Sequence, residues 1–276
     1  MAILQKSDAD GYFQIDDSLY ELPETIHTEN LSKTLSDFQS IMDKYFTSSK
    51  GYYCVIPDKS YNLSEHTGYP RAQYVDFMNF TDKILGNSLT KIDISDSLSL
   101  EYYYRTDMHL RQEMLAASFV DKSYDEILMS DTFYGGISSA SGIYPSPDQL
   151  ISITTPAICD AIVYDYETKS EMPLYVTDKI SGLDPYDVYL GGPKALLKLH
   201  VPNSTSGKEL VLFRDSFGSS IAPLLLDDYD TIYLVDLRYT TVDTAMALIT
   251  PSEDCDVLFL YSMNVLNSGS LRTKVI

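Results

Sequence analysis

Hydrophobic spacing divides the chain into an alternating first third, an irregular middle and an alternating last third. Asn30-Leu31-Ser32-Lys33 opens a run in which Leu31, Leu35, Phe38, Ile41, Met42 and Tyr45 recur near helical spacing, closed by Gly51. Tyr52 to Ile56 is a short apolar strand, stopped by Pro57-Asp58. Tyr74, Phe77, Met78, Thr81 and Ile84 predict a second helix after Pro70, terminated at Gly86. Lys91 to Ile94 and Glu101 to Tyr104 read as strands, and Leu110 to Val120 as helical. Such alternation favours a parallel sheet covered on both faces.

From about residue 124 to 187 the rhythm breaks. Gly135-Gly136, a Ser/Gly/Pro-rich patch from Ser138 to Pro147 and an alternating strand from Ile158 to Tyr164 predict inserted antiparallel elements. The rhythm returns with the wholly apolar strand Glu209 to Phe213, a turn at residues 214–218 and a helix from Ser220 to Leu226. Thr231 to Val235 and Val257 to Tyr261 are apolar throughout, as strands buried on both faces are. The expected organisation is an acidic, irregular lead-in over residues 1–30 and one α/β domain over 31–276, carrying a β-rich insertion at about 124–187.

Charge and cysteine content narrow the function classes. Forty acidic against 20 basic residues give a net charge of −20, a field that repels phosphate backbones and anionic lipid, so nucleic acid is not an expected partner. Cys54, Cys159 and Cys255 are widely spaced and form no CxxC or Cys/His cluster, which argues against a structural zinc site and a disulfide scaffold. Asp227-Asp228, Asp230 and Asp236 lack the alternating positions and central glycine of a calcium loop, and no Walker or GxGxxG motif occurs. No metal or cofactor is expected. No stretch approaches the ~18 continuous apolar residues of a membrane helix. The opening residues MAILQKSDADGY lack the basic and apolar regions of a leader. Twenty-three tyrosines and no tryptophan suit either strand filling or stacking on sugars.

The chemistry-bearing stretch is ELVLFRDSFGSSIAPLLL. A buried strand running into Asp215-Ser216 sets Ser216 at a strand's carboxyl end, where open α/β sheets bind ligands. The amide of Phe217 lies where it could stabilise an oxyanion. The alternative is that Asp215, Ser216 or Ser219 simply caps the following helix. Among the four histidines, His109 stands out in EYYYRTDMHLRQEM, with Asp107 two residues before it. The carboxylate could fix the imidazole tautomer and leave the other nitrogen for a serine, or Asp107 could be a helix N-cap.

Together, YYYRTDMHL and LFRDSFGSSIAPLLLDDYDTIYLVDLRY resemble the DHHW family of bacterial surface proteins, itself similar to the alginate-type polysaccharide O-acetyltransferases. YCVIPDKS (53–60) and DVYLGG (187–192) resemble further blocks, so the likeness spans most of residues 50 to 265. The resemblance implies an SGNH-hydrolase-like (flavodoxin-like) three-layer sandwich with a mainly parallel sheet. It implies a triad of Ser216, His109 and Asp107. Gly191 or Gly192 would contribute to the oxyanion hole, and Arg105, Arg214 and Asp215 would hold the site or bind substrate. Also implied are an extracytoplasmic location with the leader absent from this sequence, an acylated glycan substrate and a membrane-bound acyl donor. Two departures stand out. Met108 and Leu110 replace the expected His and Trp, and Pro193 replaces an asparagine after the double glycine. They leave an inactive glycan- or protein-binding module as the alternative.

Overall fold

A computed structural model describes residues 8–9 and 11–273; residues 1–7 and 10 of the lead-in, most of the opening stretch read above for a leader, and residues 274–276 lie outside the described residues. The chain begins with an antiparallel ribbon of β1 (Asp8–Ala9), β2 (Tyr12–Ile15) and β3 (Ser18–Glu21). The expectation of an irregular lead-in therefore does not hold over these residues. Phe13 and Tyr20 stack at 5.2 Å between ring centroids, and with Leu63 they form a small core of their own.

Helix α1 (Thr28–Tyr45) buries Leu31, Leu35, Phe38 and Ile41, the face its spacing marked out. It leads into β4 (Lys50–Ile56), and α2 (Tyr74–Leu85) leads into β5 (Thr90–Lys91). That last strand stops short of Ile94 because the Asp93 carboxylate accepts from the Ser95 amide and hydroxyl and turns the chain. Residues 101–104 are not a strand. Leu100–Tyr102 is a 3-10 turn, and only Tyr103 bridges to Leu110. The amides of Tyr102 and Tyr103 turn back onto the Ser99 and Leu100 carbonyls, and the Tyr104 carbonyl goes to the Lys59 ammonium, so local turns override the β preference of three consecutive tyrosines.

Next come α3 (Gln112–Phe119), β6 (Asp125–Phe133), α4 (Gly136–Ser141) and β7 (Asp148–Thr154). Strands β6 and β7 make a separate two-stranded antiparallel sheet. The expected strand from Ile158 begins instead as α5 (Pro156–Asp160), because Pro156 opens the helix and the Thr155 hydroxyl caps it. Then β8 (Ile162–Asp165), β9 (Ser170–Met172) and β10 (Leu196–His200) join the main sheet in antiparallel fashion.

The remaining elements are β11 (Glu209–Arg214), α6 (Phe217–Ile221), β12 (Thr231–Val235), α7 (Val242–Met246), β13 (Asp256–Ser262) and α8 (Met263–Ser268). The main sheet has eight strands in the order β5-β4-β13-β11-β12-β10-β8-β9, a large mixed sheet. Pairings from β5 through β12 are parallel, and those from β12 through β9 antiparallel.

Alternate residues of the parallel strands enter two different cores. Val211 and Phe213 join α1 and α2 side chains on one face, and Leu210 and Leu212 join those of α3 on the other. Phe259 stacks on both Phe38 (4.2 Å) and Phe213 (4.9 Å). Burying each such side chain contributes roughly 1.5–3 kcal/mol. This double-sided burial holds the carboxyl ends of β4, β11 and β12 rigidly along one edge.

Candidate active site

The last residue of β11 is Arg214, and the chain turns there through Asp215 and Ser216 into α6. Asp215 is fully buried. Its Oδ1 accepts from the Phe217 amide at 3.0 Å, and its Oδ2 accepts from the Ser262 amide and hydroxyl at 2.7 Å each. Asp215 therefore closes the turn and ties it to the end of β13. Ser216 stands at the N-cap position yet makes no side-chain capping bond, so its hydroxyl is left for another partner.

That partner is His109, whose Nε2 lies 2.8 Å from Ser216 Oγ. On the other side of the ring, Nδ1 lies 2.7 Å from Asp107 Oδ1. Asp107 Oδ1 also accepts from the His109 amide at 2.9 Å, and Oδ2 accepts from the Gly136 amide at 2.6 Å. Helix α3 starts only at Gln112, with Arg111 at its N-cap, so Asp107 is not its cap. Burial alone would push the Asp107 carboxyl up, but the facing imidazole and these hydrogen bonds hold it at about 2. His109 moves the opposite way. Burial opposes its charge, and the Asp107 carboxylate outweighs burial and raises the imidazole above its usual value of 6.5.

Two aromatic rings pack against the imidazole. Tyr186 stacks on it at 3.8 Å with an 8° interplanar angle, and Phe217 packs at 4.8 Å, tilted by 53°. The Tyr186 hydroxyl lies 2.9 Å from Ser220 Oγ, which fixes the tyrosine against α6.

The loop that carries Asp107 and His109 is held by residues far away in sequence. Asp148, at the start of β7, accepts from the Arg105 amide and from the Thr106 amide and hydroxyl. The Thr106 hydroxyl accepts from the Gly135 amide, and the Thr106 carbonyl accepts from the Ser138 amide. The Asp107 carboxylate packs so closely on Gly135 that a Cβ there would stand 2.0 Å from Oδ2.

Ser216, His109 and Asp107 line a cavity of about 300 Å³. Asp184, Asp187, Tyr189 and Tyr239 share the lining, and burial raises the carboxyls of Asp184 and Asp187. Arg214 lines it too. Its Nη1 donates to Ser219 Oγ and the Asp215 carbonyl at 3.2 Å each and lies 3.4 Å from Asp236, which Arg238 grips with two hydrogen bonds.

The other sequence-derived candidates fall differently. The Phe217 amide is already taken by Asp215. Gly192 lines the cavity at φ +86°, with the Asp187 carboxylate where its Cβ would be, and its amide donates to Tyr189 O at 3.3 Å. Gly191 instead faces Met172 and Val176 and is not part of the lining. Arg105 is also outside the cavity. It pairs with Asp17 at 2.9 Å and Asp148 at 3.2 Å, fastening the N-terminal ribbon to β7. Sequence reasoning passed over Asp148, Gly136, Tyr186, Asp184 and Asp187. Only the position of Asp187 in the DVYLGG block could have drawn notice.

No protein-family model matches the sequence, and no curated protein matches it. Among solved structures, a DHHW family protein from Eubacterium siraeum is similar at 19% identity and TM-score 0.69, over 94% of this chain and 93% of that one. Bacillus cereus PatB1, also solved with a sulfonyl adduct, is similar at 15% identity and TM-score 0.68, over 95% of this chain and 98% of that one. The O-acetyltransferase domain of Pseudomonas putida AlgJ aligns at 13% identity and TM-score 0.50, over 93% and 92% of the two chains. At such identities the likeness is one of fold. The chain thus carries the fold of a DHHW family protein and of an O-acetyltransferase domain, the same likeness that its sequence blocks bear.

Proposed function

We propose that this protein is a serine O-acyltransferase or esterase of the O-acetyl type, acting on carbohydrate outside the cytoplasm. The observation that carries the reading is the line of short contacts from Asp107 through His109 to Ser216, 2.7 and 2.8 Å long. His109 takes the proton of Ser216 Oγ as the oxygen attacks an acyl carbonyl, while Asp107 fixes the tautomer and faces the imidazolium that forms. The tetrahedral intermediate collapses, His109 returns its proton to the leaving oxygen, and the acyl-enzyme passes its acyl group to water or a sugar hydroxyl. Tyr239, exposed at the cavity lining, suits a sugar ring. A membrane-bound partner would supply the acyl group in a transferase.

Reaction with a sulfonyl fluoride, followed by mass spectrometry, tests the reading. Adduct on Ser216 in wild type and none in His109→Ala is the expected pattern. An unmodified Ser216, with no nitrophenol released from short-chain esters, would sink it.

A second reading, a glycan-binding module without turnover, is favoured by the amides of Phe217 and Gly192 already being engaged. Glycan binding that survives Ser216→Ala, in a protein without esterase activity, would select it.

A further inference from the structure

Lys59 follows the end of β4 and is only 4% exposed. Among the described residues its ammonium faces no carboxylate at hydrogen-bond distance. Instead Nζ donates to three backbone carbonyls, Tyr104 O at 2.6 Å, Leu19 O at 2.8 Å and Arg105 O at 3.0 Å, with Asp107 O further away at 3.4 Å. Three N–H groups meet three close acceptors, each a charge-assisted bond of the stronger class. The Tyr20 ring covers Nζ at 4.8 Å.

These carbonyls belong to two segments, the N-terminal ribbon and the 104–107 loop, that meet around the ammonium. Leu19 is in β3 of the N-terminal ribbon, and its amide donates to Arg105 O at 2.8 Å. Tyr104 to Asp107 form the root of the loop that bears His109, closed by a bond from the Tyr104 amide to His109 O at 3.2 Å. Burial pushes the Lys59 ammonium down to about 7, against the pull of Asp148, Asp107 and Asp58 and with the push of Arg105. Truncating a lysine held in this way leaves three buried carbonyls without their donor.

Resting on the acyl-transfer reading above, we infer that Lys59 is a positioning residue. Its ammonium gathers the ribbon and the 104–109 loop so that Asp107 meets His109 in the geometry that orients the ring toward Ser216. The ribbon is thereby a working part of the site.

The test compares Lys59→Met, which keeps the length and removes every donor, with Lys59→Gln, which keeps two N–H groups. Leu35→Ala, on the opposite face of the sheet, controls for lost stability alone. NMR of the full chain reads the His109 titration midpoint and its low-field Nδ1–H resonance, and nitrophenyl acetate reads kcat and KM. In Lys59→Met the midpoint moves down toward 6.5, the resonance broadens, and kcat falls ~10²-fold at little-changed KM. Lys59→Gln lies between Lys59→Met and wild type. Leu35→Ala lowers Tm and leaves midpoint and kcat alone. A Lys59→Met protein, or a Lys59→Gln protein should the first not fold, with wild-type midpoint and resonance overturns the inference. Wild type without turnover on any ester counts against the acyl-transfer reading, and the His109 resonance still decides the role of Lys59.

Discussion

His109 Nε2 and Ser216 Oγ stand 2.8 Å apart, although 107 residues separate them along the chain. Groups that act as one unit lose their effect together. Ser216→Ala and His109→Ala are each expected to lower kcat/KM on short-chain esters by ~10⁴-fold or more, and the double variant no further. Steady-state kinetics of the three proteins checks this, and additive losses would contradict a shared step.

Asp107→Asn keeps the shape of the side chain but reverses what it offers Nδ1. The amide can point its N–H at the ring and select the wrong tautomer, so kcat should fall by ~10⁴-fold. The same variant has a stability signature. The Asp107 carboxyl is held at about 2, below its ordinary 3.8, so its contribution is full above 3.8 and fades as pH falls toward 2. Acid unfolding of Asp107→Asn, followed by circular dichroism, should be less steep over that window than in wild type.

The pH profile follows from His109. Its folded value lies above 6.5, so protonation of the ring favours the fold, fully so below 6.5 and less as pH rises through the folded value. Catalysis requires the neutral ring and therefore runs the other way. The acid limb of kcat/KM should have its midpoint above 6.5, and the NMR titration of His109 in the free protein should share that midpoint. A limb centred below 6.5 would refute this assignment.

Gly135→Ala places a methyl where the Asp107 carboxylate already sits, 2.0 Å from Oδ2. Overpacking of this kind typically costs ~1–3 kcal/mol, and here the group that gives way is Asp107 itself. A lower Tm together with a lower kcat is expected. Gly142→Ala, at an open turn with no atom near its Cβ, should leave kcat unchanged.

The parts legible in the sequence were those whose cause is local. The interiors of strands β11, β12 and β13 are continuously apolar because both faces are covered, and α1 carries its buried stripe in plain helical spacing. Ser216 and the Asp107–His109 pair could be singled out because each sits in a short, recognisable stretch. What escaped depends on distant partners. Residues 101–104 read as a strand, yet their neighbourhood is organised by Lys59, 45 residues from Tyr104, and by Asp148, 43 residues from Arg105. Lys59 lies in the YCVIPDKS block, but its partners are backbone carbonyls that any sequence possesses, and those of Asp148 are 42 and 43 residues away, so spacing reveals neither role. The Phe217 amide reads from the sequence as an oxyanion donor, but it is spent on Asp215, an exchange that spacing cannot reveal.

The stacking of Tyr186 on His109 governs what becomes of the proton. A ring stacked at 3.8 Å and tied at Nδ1 to Asp107 is held against turning over, so Nε2 is the nitrogen that faces Ser216. Once that nitrogen is loaded, the positive ring lies against an electron-rich aromatic face, an attraction of ~0.5–2 kcal/mol that water would not provide. In the proposed reaction Tyr186 would thus make the protonated histidine less fugitive, so that the proton stays on the ring until the departing oxygen reclaims it.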